Sequence, residues 1–149
     1  MSDAILYVDA SEVREGALEE LKPAIKRLAD FVEVNEPRLI AYNIYFSEDG
    51  TRMTVASVHP DSASLEYHLE VAGPLFREFV ELVTLSSIHI YGEPSEKVLQ
   101  QSQAKARLLG RGPVVVQSLH AGFTRVAPSA GPDAREASLG STGEERDRA

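Results

Sequence analysis

A chain of 149 residues, 43% of them hydrophobic, is long enough for one core and too short for two, so a single domain is expected. The formal net charge of -8 opposes counterion release, and no run of Lys or Arg makes a local exception, so nucleic acid and anionic membrane surfaces are excluded as partners. Without cysteine there is no disulfide, thiolate nucleophile or thiolate metal site, and Met1-Ser2-Asp3-Ala4 lacks the basic region of a signal peptide, so the expected location is the cytoplasm.

Ile5-Leu6-Tyr7-Val8 reads as a first strand ended by Asp9, and Ser11-Glu12-Val13-Arg14 as the cap and first turn of a helix. Leu18, Leu21, Ile25, Leu28, Ala29 and Val32 share one stripe of that helix, with charged residues opposite. Pro23 removes a backbone donor, which predicts a kink or a late start near it, and Asn35-Glu36-Pro37 closes the segment. A second strand, 39–46, alternates Ile40, Tyr42, Ile44 and Phe46 with Ala41, Asn43 and Tyr45, and Asp49-Gly50 turns it into a third strand, 52–58. Both faces of this hairpin are mostly apolar. Helices cover one face, so the other calls for a second chain, which predicts a homodimer through the sheet.

His59-Pro60-Asp61 ends the third strand and caps a second helix, expected from Ser62 to about Val83. Its apolar stripe holds Leu65, Leu69, Ala72, Phe76, Phe79, Val80 and Val83, with His68 inside it, and Gly73-Pro74 should bend or split it. Ser87-Ile88-His89-Ile90-Tyr91 is a fourth strand, broken by Gly92-Glu93-Pro94; Ser95 then caps a third helix that ends at Gly110. A last strand, 114–123, should join the sheet edge of its own chain or its partner's. From Ala127 the composition is too poor in large apolar residues to offset the entropy of ordering, so a disordered tail, 127–149, is expected after a domain of residues 1–126.

Strand, helix, two hairpin strands, helix, strand is the ferredoxin-like split βαβ order: an α+β fold with a four-stranded antiparallel sheet, here extended by a C-terminal helix and strand. Within it, Asn35-Glu36-Pro37, the Tyr42-Asn43-Ile44-Tyr45 strand with its Glu48-Asp49-Gly50 turn, Leu65-Glu66-Tyr67-His68-Leu69 and Phe76-Arg77-Glu78-Phe79 follow one another in an order that resembles the antibiotic-biosynthesis-monooxygenase superfamily. The resemblance runs from Ala4 to about Gly92. It implies a dimeric α/β barrel, made of two sheets packed face to face with helices outside and, in the enzymes, a pocket between helix and sheet. It also implies cofactor-independent oxygenation of quinols or polyketide aromatics, or haem breakdown. The haem-degrading branch looks to rely on a Trp, which this sequence lacks.

An oxygenase with neither metal nor flavin must deprotonate its phenol or quinol, hold the resulting oxyanion and exclude water. His68 is the candidate base, Asn43 and Tyr45 are candidate donors to the oxyanion, and Tyr42, Tyr67, Leu65, Phe76, His89 and Tyr91 are candidate substrate contacts. A lone His in an apolar stripe is more often a satisfied core residue donating to a backbone carbonyl. The four histidines have no metal-ligand spacing, and no dinucleotide fingerprint, phosphate loop or serine elbow is present, so no metal or other cofactor is expected. The expected function is cofactor-independent monooxygenation of a small aromatic, quinol-type molecule in a pocket between the second helix and the sheet. The alternative is a non-catalytic dimeric module that binds a small apolar ligand or a protein partner.

Overall fold

Alternation along the strands sets the architecture, and the helices follow from it. In the computed structural model, which describes residues 3–125, the elements are β1 (Ile5–Val13), α1 (Leu18–Asn35), β2 (Ala41–Phe46), β3 (Arg52–His59), α2 (Ser62–Val71), a 3₁₀ segment (Gly73–Phe79), β4 (Val83–Tyr91), α3 (Glu96–Leu109) and β5 (Val114–Gln117). The expected tail, 127–149, lies outside the described residues. The sheet order is β2-β3-β1-β4-β5. The first four strands are antiparallel neighbours, and β5 runs parallel to β4. The sheet is therefore five-stranded and mixed, where four antiparallel strands with an added C-terminal helix and strand were expected; the added strand joins the edge of its own chain. The reason is α3: it returns the chain to the start of β4, and a strand that follows a helical crossover lies parallel to the one before it.

Several boundaries differ from the sequence expectation for identifiable reasons. Ser11 and Glu12 pair with Met53 and Arg52, so β1 runs on to Val13 and Ser11 is a strand residue, not a helix cap. Gly16, at φ +79°, makes the turn, and α1 starts at Leu18 with Pro23 inside it. The Gly73-Pro74 break is present: α2 stops at Val71 and Pro74 opens the 3₁₀ segment, which leaves β4 free to begin at Val83. β5 ends at Gln117, well before residue 123. The hairpin turn closes as its residues predict, with Gly50 at φ +73° and Asp49 Oδ1 accepting from Ser47 Oγ, Thr51 N and Thr51 Oγ1.

Ile5 and Tyr7, Met53 and Val55, and Ile88 and Ile90 point to one face of the sheet, where they meet Leu21, Ile25 and Leu28 of α1, Leu65 of α2, Phe76 and Phe79 of the 3₁₀ segment, and Val98 and Ala106 of α3. The opposite face carries Leu6, Val8, Ala41, Tyr45, Val58 and Tyr91. Leu6 is 40% exposed, Tyr45 56% and Tyr91 37%, so this face is apolar and open to water in the single chain.

β5 lies close against β4, with Ile88 N donating to Pro113 O and Gly92 N to Gln117 O, both at 2.9 Å. A Cβ on Gly112 would run into the Ser86 carbonyl, whereas one on Gly73 meets nothing within 4 Å. Gly112→Ala should destabilise the fold by roughly 1–3 kcal/mol, lowering the melting temperature by several degrees. Gly73→Ala should leave it nearly unchanged; equal melting temperatures for the two variants would contradict the close β4–β5 approach.

Candidate functional site

Strand register brings Tyr42, Ser57 and Tyr7 into one row on the helix-covered face, with Asp9 and His59 in adjacent rows. Polar side chains from α1, α2 and α3 descend onto these rows. The result is a buried polar layer inside an otherwise apolar core.

Glu36 enters this layer because α1 ends on it. Its N–H donates to Val32 O as the last helical bond, and Pro37 cannot continue the helix. Arg38 then donates twice to Asp61, at 3.1 and 2.7 Å, while Asp61 caps α2 by accepting from Ser64 N at 3.0 Å. The Arg38 guanidinium holds the Asp61 carboxyl below the usual carboxylate range. Segment 36–39 is thereby tied to the start of α2, and the Glu36 carboxylate is turned inward. There His68 Nδ1–H donates to both of its oxygens at 2.9 Å, with the two side chains 2% and 3% exposed. A carboxylate only accepts, so Nδ1 carries the shared proton and Nε2 is the nitrogen turned away from Glu36. That nitrogen makes no hydrogen bond among the described residues. The ring is surrounded by those of Tyr42 at 5.3 Å, His59 at 5.7 Å and Phe76 at 6.2 Å, centroid to centroid.

His59 has a different environment. Ser57 Oγ donates to the Tyr7 carbonyl at 3.3 Å and so accepts from His59 Nε2–H at 3.2 Å, which leaves Nδ1 to accept from Ser64 Oγ at 2.9 Å. Both ring nitrogens are satisfied by hydroxyls and no carboxylate bonds the ring. Burial, and then the neighbouring His68, push its pKa down to about 3, so His59 is neutral in the folded protein.

Lys105 of α3 reaches into the layer from the other side. Its ammonium donates to Asp9 Oδ2 at 2.8 Å and lies 5.2 Å from the Tyr7 ring centroid and 4.6 Å from that of Phe76. Burial is the largest influence and opposes the lysine charge, but the Asp9 carboxylate together with Tyr7 and Tyr42 outweighs it, and Lys105 is held charged above its ordinary range. Burial raises the Tyr42 and Tyr7 phenols, so both are protonated near neutral pH. The buried Tyr7 hydroxyl lies in hydrogen-bonding reach of Ser102 and Lys105, although neither Tyr7 Oη nor Ser102 Oγ has a partner in ideal geometry.

Two cavities meet at Glu36. One, of about 440 Å³, lies between the end of α1 and the edge strand β2 and is lined by Val32, Glu36, Leu39, Tyr42 and Asn43 among others. The second, of about 320 Å³, is lined by Glu36, Arg38, Leu39, Ala63, Ser64 and Tyr67. Glu36, whose carboxylate orients His68, is thus also a wall residue of both.

Of the residues singled out in the sequence, His68, Tyr42, Leu65 and Phe76 come together in the covered layer, and Tyr67 stands half-exposed at the smaller cavity. Asn43 and Tyr45 alternate with Tyr42 and Ile44, so they face the open side of the sheet, across it from His68 of the same chain. His89 and Tyr91 also lie on the open side, their rings stacked at 6.1 Å and 16°. Glu36, Asp9, Lys105 and the hydroxyl partners of His59 were missed. Two signals pointed to them: Asp9 shares the strand parity of Ile5 and Tyr7, and Lys105 sits at helical spacing from Val98, Ser102 and Leu109. Among the described residues no three His, Asp or Glu side chains converge as metal ligands, and no helix is long and apolar enough to cross a membrane.

Because His59 is held below its unfolded value of 6.5, the unfolded chain takes up this proton first as pH falls. Its contribution to stability is complete above pH 6.5 and is lost progressively toward pH 3. Thermal melts between about pH 7.5 and about pH 5 should show a falling melting temperature whose slope is reduced in His59→Gln. Parallel slopes in the two proteins would rule His59 out as the source.

No protein-family model and no curated protein matches the chain. Solved structures do. MupZ from Pseudomonas fluorescens matches with a TM-score of 0.66 at 19% identity, over 84% of this chain and 91% of that one. SnoaB from Streptomyces nogalater, a cofactor-independent oxygenase, matches with a TM-score of 0.53 at 18% identity, over 63% of this chain and 96% of its own. Protein SO0527 from Shewanella oneidensis matches at 0.51 and 26% identity, over 60% of this chain and 88% of that one. At these identities the likeness is one of fold.

Proposed function

We propose that this chain, whose fold is of the antibiotic-biosynthesis-monooxygenase kind, is a cofactor-independent monooxygenase acting on a small aromatic, quinol-type substrate. The observation that carries the reading is the buried Glu36–His68 pair, in which a carboxylate holding Nδ1–H at 2.9 Å orients Nε2 as a base. In this reading Nε2 takes a phenolic proton, and burial keeps the resulting quinolate poorly solvated and electron-rich. The anion passes one electron to dioxygen. The two radicals join through a carbon–oxygen bond, and loss of water from the hydroperoxide leaves a hydroxyquinone, one oxygen atom going to product and one to water. Tyr42, on the wall of the 440 Å³ cavity, is the donor placed to meet the substrate oxygen, with Phe76 and Leu65 as apolar contacts. Asn43, Tyr45, His89 and Tyr91 act on the open face instead.

That open face supports the second component of the reading, a homodimer through the sheet. An apolar surface with Leu6, Tyr45 and Tyr91 partly in water is what a second copy would cover. A non-catalytic module that binds a small apolar ligand is the competing reading, favoured by the close enclosure of His68 by three rings.

Oxygen uptake with a panel of hydroquinones separates the two readings. The wild type should consume one dioxygen per hydroxyquinone formed, His68→Ala should lose roughly 100-fold or more, and Glu36→Gln should lose about tenfold or more while staying folded. Uptake no faster than that of His68→Ala across the panel eliminates the enzyme and leaves the binding module. Sedimentation at micromolar concentration should give twice the 16.3 kDa chain mass, and Tyr45→Glu on the sheet face should shift it toward a monomer. A wild-type monomer would end the dimer proposal.

A further inference from the structure

The open sheet face carries a groove that the base chemistry does not use. Strand register sets Val58, Leu6 and Tyr91 side by side across β3, β1 and β4, on the face that the helices leave bare. These three line a cavity of about 630 Å³ at the end of the sheet, together with the exposed carboxylates of Asp3 and Glu93. Beyond β5 the chain runs on as an arm beside this groove. Gly92 N–H, donating to Gln117 O at 2.9 Å, fixes its base, and Leu119 and Thr124 form part of the groove wall. Phe123 does not line it. Gly122, at φ +135°, where only glycine sits readily, turns the arm, and Phe123 stands 78% exposed with the Arg125 guanidinium 4.5 Å from its ring centroid.

We propose that this groove receives Phe123 and Arg125 of a second copy, so that two chains exchange C-terminal arms reciprocally. Three observations select that occupant. A phenyl ring in water and a groove lined by Leu6, Val58 and Tyr91 are each unfavourable alone, and Tyr91, 37% exposed, offers a ring against which an aromatic packs. Charge agrees as well. Of the groove's carboxylates Asp61 is engaged by Arg38, whereas Asp3 and Glu93 make no ion pair among the described residues, and the arm brings them the Arg125 cation. In a chain of formal net charge -8, that complement also offsets the repulsion between two copies. Finally, knob and hole belong to one chain, so a single two-fold rotation satisfies both of each, and the contact closes at a dimer without growing into a filament. The arm does not serve its own groove in this way, because it already forms the wall. The exchange deepens the homodimer proposed above and rests on it.

The test uses the full chain, whose lack of cysteine permits site-specific crosslinking. Mass-tagged Leu6→Cys protein is mixed with untagged Phe123→Cys protein and oxidised. The mixed disulfide should form between them, while Val34→Cys, at the 79% exposed Val34 of α1, should give roughly tenfold less with Phe123→Cys. By sedimentation, Phe123→Ser should raise the dimer dissociation constant about tenfold or more. Arg125→Glu and Glu93→Arg should each raise it about threefold or more, and the two together in one chain should bring it back to within about twofold of wild type. The dye ANS should bind Phe123→Ser but not the wild-type dimer. A wild-type dimer that is indifferent to Phe123→Ser and gives no Leu6–Phe123 disulfide overturns the exchange and leaves the sheet dimer standing. Equal dye binding by wild type and Phe123→Ser shows a groove left empty for some other ligand and overturns it too, as does a disulfide that forms only within single chains carrying both substitutions. Dissociation by Phe123→Ser with no effect of Tyr45→Glu supports the exchange and defeats the sheet contact alone, whereas a wild-type monomer removes both.

Discussion

A carboxylate shut away from water is the constraint on which the rest of the site depends. Withdrawing Glu36 from solvent costs several kcal/mol, and His68 Nδ1–H, 2.9 Å from both oxygens, is the partner that offsets it. The pairing dictates where α1 must stop, which way residues 36–39 must run and how α2 must begin. Arg38 and Asp61 serve that geometry from the surface, where their own ion pair is worth little by itself. Glu36 also lines two cavities, so the residue that orients the imidazole borders the space beside the end of α1.

The two neighbouring histidines show how environment assigns roles to one side chain. His59 is bonded by two hydroxyls and held neutral, and its bond to Ser64 ties β3 to α2. His68, 5.7 Å away, faces a carboxylate and keeps a nitrogen unbonded. A core chosen for stability alone would have little use for either this pair or Lys105–Asp9, because buried ion pairs are often no more stabilising than apolar residues of the same volume. Two such pairs lie in one layer, separated by the rings of Phe76 and Tyr42.

The open sheet face follows from connectivity. The helices pack on the face bearing Ile5, Tyr7, Val55 and Ile88, so a single chain covers one side only. Strand alternation then commits Leu6, Tyr45 and Tyr91 to the other side. α3 does not relieve this exposure, since it packs with α2 and sends Lys105 into the covered layer. Its crossover instead adds β5 to the edge of β4.

What the chain carries locally was readable from it. Period-two alternation and the Asp49-Gly50 turn specified the hairpin, Ser95 and Gly110 bounded α3, Gly73-Pro74 split the second helix, and the apolar stripe of α2 placed His68 inside. Turn chemistry and side-chain periodicity act over a few residues, and there the sequence is sufficient. The strand face of Asn43 and Tyr45 was open in principle and was resolved only by the pairing of Tyr42 with Ser57. Which charges meet was a matter for the tertiary structure: Glu36 finds His68 across 32 residues and Asp9 finds Lys105 across 96. Such partners are selected by how helices pack over a sheet, where burial makes an unpaired charge intolerable, and no local pattern in the chain encodes that choice.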